Sequence, residues 1–528
     1  MRGVGALRQA AVPLLLAFVL VGVAGVNECH SEEPEGRRRI SPWSLVGERP
    51  RRDSSLAVLA QNDSTEPPLP EGLGGAEPAL PEGLGGEKPE KGPAEPALPE
   101  GLGDAEATGK GEAGEQAPSL ADRLPFDLTG FFDLRGGFRV QDDAHEPTHS
   151  LGESRLQLEA EKAFEEGLTL HLTTDLLYDM SAPDNRVFLE EGRGMTDLRE
   201  AWASFRPTEF MDVKIGRQIL TWGTGDLRFL NDLFPKDWNA FFIGRDVEYL
   251  KAPNDAVKVS LFSDLANLDL VYVPRFDADR FIDGRRISYT NPMLGRRAGR
   301  DAVIDPIDRD TWFRDDEFAA RAYRNLGAYE VAVYGYYGFH KSPSGTDPRS
   351  LRARHPRLAA YGASVRGPVA AGIGNAEVAY YDSMEDRSGN DPFTPNSQVR
   401  LLVGYEQDLE QVARDFTVGV QYYLETRVDH DAWEAARPPF VRDESRCRHE
   451  VTVRLTKLLM NQNLELSLFT FFSPTDEDVY MRPRVSYKVT DHWRVEMGAN
   501  VFFGNHKDTF FGQFEDNSNI YFGTRYSF

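Results

Sequence analysis

The chain ends with residues 518–528, which read SNIYFGTRYSF. Because successive side chains of a β-strand point to opposite faces, an alternation with a period of two indicates a strand whose faces differ. One parity carries mainly apolar or aromatic residues, whereas the other is more polar; they read Ile520, Phe522, Thr524, Tyr526 and Phe528 against Tyr521, Gly523, Arg525 and Ser527. The segment therefore predicts a C-terminal strand with one face in apolar surroundings.

An aromatic strand that ends in a C-terminal Phe resembles the closing strand of bacterial outer-membrane β-barrels. In that class the last strand is read by the barrel-assembly machinery, so the resemblance implies that this machinery recognises Phe528. It also implies outer-membrane lipid around the apolar face and a Gram-negative outer-membrane location.

The same alternation recurs throughout residues 124–528. In the first segment Phe132 and Leu134 alternate with Asp133 and Arg135. About 18 such segments can be delineated, with 16 as the alternative, and single-chain bacterial barrels have even strand numbers. The segments are 124–140, 155–163, 168–172, 197–205, 211–220, 256–262, 265–272, 318–323, 329–339, 357–365, 375–381, 398–405, 416–426, 450–458, 464–472, 479–489, 493–503 and 518–528.

The connections between these segments alternate between long and short, as they do when long loops are extracellular and short turns periplasmic. We therefore predict an all-β fold, a transmembrane antiparallel up-and-down β-barrel with both termini on the periplasmic side. A soluble two-sheet sandwich is the alternative. The number of strands and the repeated charge on one face argue against it.

The N-terminal quarter has a different composition. Residues 1–25 contain Arg2 and Arg8, then an apolar run, then small residues near Gly25, which is the order of a secretory signal peptide. Residues 26–123 are rich in Pro, Glu, Gly and Ala and repeat LPEGLG three times. This composition predicts a disordered periplasmic segment, which serves either as a spacer or as a docking motif for a periplasmic partner.

The formal net charge of −24 argues against nucleic acid as a partner. Only two cysteines occur, Cys29 and Cys447, and either a disulfide or two separate thiols fits the sequence. Asp305, Asp308 and Asp310 lack the Gly and Glu that complete an EF-hand, so we predict a solvated loop and no metal site.

A barrel of about 18 strands is too wide for its own side chains to fill, so passage of a solute is the expected function. Arg482, Arg484 and Lys488 on one strand form the strongest group for attracting anions. Alternatively, the inward charges pair with one another and stiffen the wall. The candidate pore-lining residues are Arg135, Arg139, Arg155, Glu159, Arg454, Arg482, Arg484, Lys488, Arg494 and Arg525.

Residues 216–238, GRQILTWGTGDLRFLNDLFPKDW, are the most distinctive local sequence. They resemble the strand and loop of a poorly characterised porin-like outer-membrane family with the pattern GRQxxxWGxxD…DLxPxDW, distantly similar to alginate-export-type and general porin barrels. The aromatic content predicts that this loop folds into the lumen as a constriction. We expect Arg217 near the outer rim, paired with Asp226 or Asp232. The constriction candidates are Arg217, Trp222, Asp226, Asp232, Phe234 and Trp238.

These patterns favour a channel for small polar or anionic solutes. An export or structural barrel is the alternative, as a polysaccharide exit duct or a sheath for a multihaem cytochrome. A barrel hydrolase is less favoured, because Ser154, His171 and Asp175 do not form a recognisable catalytic group. We therefore expect no enzymatic activity, catalytic residue or cofactor, and association into a homotrimer stays open.

Overall fold

The computed structural model describes residues 125–528 except 166, 185 and 440. The predicted signal peptide and the segment 26–123 lie outside the described residues. Eighteen strands form one closed antiparallel sheet in which each strand pairs with the next and the last pairs with the first. They are β1 Asp127–Arg139, β2 His149–Ala163, β3 Thr169–Asp179, β4 Thr196–Thr208, β5 Met211–Ile219, β6 Pro253–Leu261, β7 Asn267–Val273, β8 Glu317–Leu326, β9 Tyr329–Phe339, β10 Arg357–Val369, β11 Gly372–Ser383, β12 Gln398–Asp408, β13 Phe416–Arg427, β14 Cys447–Leu459, β15 Leu464–Ser473, β16 Asp478–Lys488, β17 Trp493–Gly504 and β18 Asn519–Ser527.

The predicted barrel is confirmed, and each strand overlaps one of the segments delineated from the sequence. A sandwich would leave free strand edges, whereas here β1 and β18 close the ring. At the end of this seam Gly130 and Phe528 exchange two backbone hydrogen bonds, of 3.1 and 3.0 Å. A Cβ at Gly130 would lie 2.3 Å from the Gln157 carbonyl oxygen, so the close approach of the strands requires glycine here.

The two faces of the wall differ as the alternation predicts. On β1, Phe132 and Leu134 are exposed on the outer surface, while Asp133 and Arg135 are buried on the inner one. On β17, Met497 and its outward neighbours form an apolar surface in the same way. An apolar outer band with charged inner positions is the arrangement of a barrel surrounded by lipid.

Aromatic side chains border the apolar band at both ends, as in membrane barrels. At the end where the chain terminates, the Trp493 and Tyr526 rings lie 5.0 Å apart, next to Phe528. At the opposite end, the Tyr272 and Phe318 rings lie 4.8 Å apart. The distance between the two borders therefore marks the part of the wall that lipid would cover.

Within residues 125–528, two short α-helices lie in the connections, α1 Trp238–Ile243 and α2 His430–Ala436. A search of the described residues for a helix long and apolar enough to cross a bilayer finds none. One of two large apolar clusters lies where α1 meets aromatic residues of β15, β16 and β17 inside the barrel. No described cysteine is free, and Cys29 lies outside the described residues.

Replacing the outward-facing Met497 by Arg should destabilise the barrel in lipid by about 2 to 4 kcal/mol, because a guanidinium would face the hydrocarbon. The free energy of unfolding in lipid vesicles measures this effect. Thr456→Arg is the matched control, since Thr456 lies on the inner parity of β14 at a similar distance from the periplasmic end. Equal losses in both variants would contradict the assignment of faces.

A segment that crosses the barrel lumen

The connection between β5 and β6, residues 220–252, lies inside the barrel, and we call it the strap. Leu230, Phe241 and Leu250 along it are each no more than 2% exposed. Its contacts reach inward side chains across the ring, such as Glu377 on β11, Asn519 on β18 and Arg155 on β2, and also Arg199 on the neighbouring β4. The strap therefore spans the lumen instead of extending into the extracellular solvent.

The first part of the strap binds a buried carboxylate on β11. Glu377 accepts hydrogen bonds from the backbone amides of Thr224 and Gly225, the latter at 2.8 Å. It also accepts from the Thr224 hydroxyl at 2.9 Å and from the Asn231 side-chain amide at 2.7 Å. A buried carboxylate is costly without such donors, and bonds to an ionised acceptor are the stronger kind. Glu377 thus fixes the path of the strap on this side of the wall.

Two ion pairs fix the next residues of the strap to β14. Asp226 pairs with Arg454, and Arg228 lies 3.2 Å from the carboxylate of Glu450. The side-chain amide of Gln421 binds the Asp226 backbone from both sides, accepting from its N–H at 2.9 Å and donating to its carbonyl at 3.1 Å. Polar contacts therefore carry most of the attachment between this part of the strap and the wall.

The middle of the strap is α1, which packs on an aromatic wall. The Asp237 carboxylate accepts from the Ala240 amide at 2.7 Å and caps the start of the helix. Phe242 then lies 5.2 Å from both Tyr480 and Phe502, ring centre to ring centre and close to perpendicular. Rings in this geometry attract one another beyond the effect of buried area. The helix is accordingly a fixed part of the core.

Gly244 ends α1 with φ 94°, a left-handed conformation that glycine adopts without strain. A Cβ at Gly244 would also lie 2.3 Å from the Tyr521 ring. The Arg135 guanidinium donates to the Gly244 carbonyl at 3.0 Å. Both the conformation and the space therefore demand glycine where the strap turns away from α1.

Buried arginines of the wall bind the last part of the strap. The Arg155 guanidinium lies 4.1 Å from the ring centre of Tyr249. Arg525 lies 2.8 Å from the Glu248 carboxylate, and the strap's own Arg245 lies 2.6 Å from Glu153 on β2. These contacts join the strap to the seam where β18 meets β1.

The candidate pore-lining residues consequently separate into two groups. Arg135, Arg139 and Arg155 are buried against the strap and loops, where they bond to carboxylates or backbone carbonyls. In the second group the side chains stay partly exposed, as they do for Glu159, Arg454, Arg484 and Lys488. Arg494 is fully on the exposed side, and Arg482 packs its guanidinium on the Phe241 ring. Arg525 pairs with the strap as described above.

The prediction for the partner of Arg217 is wrong. Its guanidinium donates to the Leu198 carbonyl at 2.6 Å and pairs with Asp255 at 3.2 Å, instead of with Asp226 or Asp232. The reason is parity, because Arg217 lies on the outward-facing side of β5 and the strap lies on the other side of the wall.

The other constriction candidates lie within the strap. Trp222 packs edge-on against Phe234 with ring centres 5.0 Å apart. Asp232 binds the Lys236 ammonium at 3.0 Å, and the Trp238 indole donates to Asp279 at 3.1 Å. The first two contacts lie within the strap, and the third joins it to the connection between β7 and β8.

Several residues that bind the strap were not candidates, among them Glu377, Gln421 and Glu450. Glu377 and Gln421 each interrupt an otherwise apolar run, as Glu377 does in AEVAYY, whereas Glu450 lies on a strand whose inner parity is already polar. That interruption is the signal that could have identified Glu377 and Gln421. The interruption does not reveal the partners, which for Glu377 lie 146 or more residues away along the chain.

The described residues do not bring Ser154, His171 and Asp175 together as a catalytic group. His171 binds Glu161 at 3.1 Å and stacks on Trp202, whereas Asp175 binds Arg155 and Gln157. In the acidic loop that contains Asp305, Asp308 and Asp310, the Asp305 carboxylate pairs with Arg352 at 2.8 Å.

Carboxylates of Glu190, Asp255 and Asp277 lie within 4.8 Å of one another near the rim. Arg217 and Arg275 pair with Asp255 and Glu190 of this group, so two positive charges offset part of its three negative charges.

No protein-family model matches the chain, and no curated protein matches it. Among solved structures, OccK3 (OpdO) of Pseudomonas aeruginosa is 11% identical and aligns over 76% of this chain and 96% of its own, with a TM-score of 0.46. OccAB4 of Acinetobacter baumannii is 8% identical over 78% and 100%, also with a TM-score of 0.46. A mutant porin of Rhodopseudomonas blastica is 9% identical over 76% and 100%, with a TM-score of 0.33. The fold assignment rests on the strand pairing of the chain itself.

Glu377→Gln should speed hydrogen exchange at the Thr224 and Gly225 amides, because the neutral amide accepts more weakly and cannot accept from Asn231 with its nitrogen. Mass spectrometry of the strap peptide measures this rate. Glu330→Gln is the matched control, since Glu330 pairs with Arg321 on the wall. Unchanged exchange in Glu377→Gln would show that the carboxylate does not fix the strap.

Burial raises the pKa of the Asp226 carboxyl to about 6, which Arg454 opposes and Glu406 reinforces. The folded state therefore takes up a proton that the unfolded state still lacks, so stability should rise as the pH falls through about 6. The wild type should therefore gain unfolding free energy relative to the Asp226→Asn variant as the pH falls. A difference that is constant from pH 7 to pH 5 would contradict this assignment.

Proposed function

We propose that the chain is an outer-membrane channel that passes small polar or anionic solutes through a lumen narrowed by the strap. The observation that carries the proposal is a closed barrel, apolar outside, whose lumen is crossed by a fixed segment and keeps partly exposed arginine and lysine side chains. A barrel of this width has room for an aqueous path beside such a segment.

The basic side chains lie together on neighbouring strands. Arg454 on β14 faces Phe469 on β15, which faces Arg482 on β16, so the two arginines are one strand apart at the same height. Arg484 follows on the same face of β16 and pairs with Glu465 at 2.5 Å. Such a group attracts anions when part of its charge is left for solvent.

Carboxylates predominate on another part of the wall. Glu159 and Glu161 on β2 lie 4.0 and 3.1 Å from the imidazole of His171, and both have half-exposed side chains. Charges of opposite sign on different parts of a lumen create a transverse field that orients polar solutes. Small dipolar or anionic solutes therefore fit this interior better than apolar ones.

The cellular setting belongs to the same proposal. The apolar outer band supports outer-membrane lipid as the surroundings of the barrel. The periplasmic location of residues 26–123, recognition of Phe528 by the barrel-assembly machinery, and association of three barrels stay predictions.

Purified, folded protein should give conductance steps in planar bilayers and favour anions over cations. Replacing Arg454, Arg484 and Lys488 by Gln should lower the anion-to-cation permeability ratio about threefold, because three positive charges leave the lumen. The reversal potential in a salt gradient measures this ratio.

The matched control for the loss of positive charge is Arg324→Gln, because Arg324 is exposed on the outward parity of β8. Folded and inserted protein without conductance steps would contradict the channel. An unchanged permeability ratio in the triple variant would contradict the role of these three residues.

A further inference from the structure

Three carboxylates from separate parts of the chain meet at the end of the barrel opposite Phe528. Glu190 lies in the connection between β3 and β4, Asp255 near the start of β6, and Asp277 in the connection between β7 and β8. One oxygen of each lies within 4.8 Å of the other two. Two oxygens bound to one Ca²⁺ at about 2.3 to 2.6 Å lie at most about 5 Å apart, whereas Mg²⁺, at about 2.1 Å, allows only about 4 Å. The spacing therefore suits Ca²⁺ better than Mg²⁺.

The arginines beside this group leave Asp277 without a partner of opposite charge. Arg217 pairs with Asp255, and Arg275 pairs with both Glu190 and Asp255. Among the described residues Asp277 forms no ion pair, and its carboxylate accepts from the Asp255 backbone amide at 2.9 Å. Burial raises the pKa of the Asp277 carboxyl to about 6, and the Asp255 charge adds to this rise. One negative charge of the group is thus available to a cation.

A fully buried side chain reaches into the same group, and its oxygen has no partner. Asn254 is 0% exposed, its Nδ2 lies 3.5 Å from Oδ2 of Asp277, and its Oδ1 has no hydrogen-bond partner among the described residues. A distance of 3.5 Å is at the limit of a hydrogen bond. Half a turn of the amide exchanges its nitrogen and oxygen, and Oδ1 then faces the position that a cation bound to Asp277 would take. Such an ion satisfies a buried acceptor that is otherwise costly.

The backbone at Glu190 is held in place while its side chain stays accessible. The Glu190 carbonyl accepts hydrogen bonds from Arg217 at 3.2 Å and from Arg280 at 3.1 Å. The Glu190 side chain keeps 47% of its surface exposed, against 23% for Asp255. The group is therefore built on a fixed backbone and is open to solvent on the Glu190 side, from which an ion can enter.

We propose that Glu190, Asp255 and Asp277 bind Ca²⁺, with the Asn254 side-chain oxygen as a fourth protein ligand. Ca²⁺ prefers oxygen ligands that include carboxylates, and water completes its about six to eight positions. The bound ion joins the β3–β4 and β7–β8 connections to the start of β6. The site goes beyond the proposed channel function, since it lies at the rim and its occupancy is measured without conductance.

Terbium(III) replaces Ca²⁺ in oxygen sites and luminesces when a nearby tryptophan is excited. Trp312 supplies this tryptophan, because Arg275, which pairs with Glu190, lies 5.3 Å from its ring centre. Full-length protein in detergent should therefore show terbium luminescence, and Ca²⁺ should displace terbium at a concentration about tenfold lower than Mg²⁺ does. Trp312→Phe should lose most of the luminescence and keep its Ca²⁺ affinity in isothermal titration calorimetry.

Asp277→Asn should weaken Ca²⁺ binding about tenfold, because it removes the charge that has no arginine partner. Glu190→Gln should weaken it similarly, and its half-exposed side chain lets this variant fold even where Asp277→Asn does not. Asp305→Asn is the matched control, since it removes a carboxylate from the same connection as Asp277 that pairs with Arg352 instead.

Equal Ca²⁺ affinity in the wild type and in the folded Glu190→Gln and Asp277→Asn variants would overturn the site. Luminescence that Trp312→Phe leaves unchanged would do so too, because terbium would then be bound elsewhere. Calorimetry that detects no Ca²⁺ binding to the folded wild type up to about 10 mM would also overturn it.

Discussion

Closure of the sheet is the constraint on which the rest of the structure depends. Backbone N–H and C=O groups have no water to bind inside a bilayer, so a β-structure is stable there only as a ring without free edges. In this chain the ring closes between β1 and β18, where Gly130 and Phe528 exchange backbone hydrogen bonds. Once the ring is closed, side-chain parity decides which residues meet the apolar surroundings and which meet the lumen.

A ring of this width encloses an interior that the side chains of the wall cannot fill. The strap fills part of it with an aromatic helix and a set of charged residues. Phe241 and Phe242 supply apolar contact, while the Glu377 carboxylate and the Arg155 guanidinium find partners on the strap. Buried charges are tolerated because each is bonded, although such pairs fix geometry more than they add stability.

The sequence was sufficient for the strands and their faces because both are local patterns. Phe132 and Asp133 reveal their opposite directions by position alone, and the aromatic residues near Phe234 indicated that residues 216–238 could not be an exposed loop. Parity does not give the height of a residue or its partner. Arg217 keeps the outward side that its parity gives and pairs with Asp255, so the prediction that it turns inward failed, and the bond between Thr224 and Glu377, 153 residues apart, left no trace in either local sequence.

The inward arginines show how burial decides a role that sequence leaves open. Arg135 and Arg484 share the inner parity and look equivalent in the sequence. Arg135 lies where the strap crosses and is buried among Asp133, Glu496 and the Gly244 carbonyl, so these partners neutralise its charge. Arg484 pairs with Glu465 and lies 4.0 Å from the same Glu496, yet its side chain keeps about a quarter of its surface exposed. In the proposed channel, discrimination between solutes therefore depends on such partly exposed side chains, since the charge of Arg135 already has its partners.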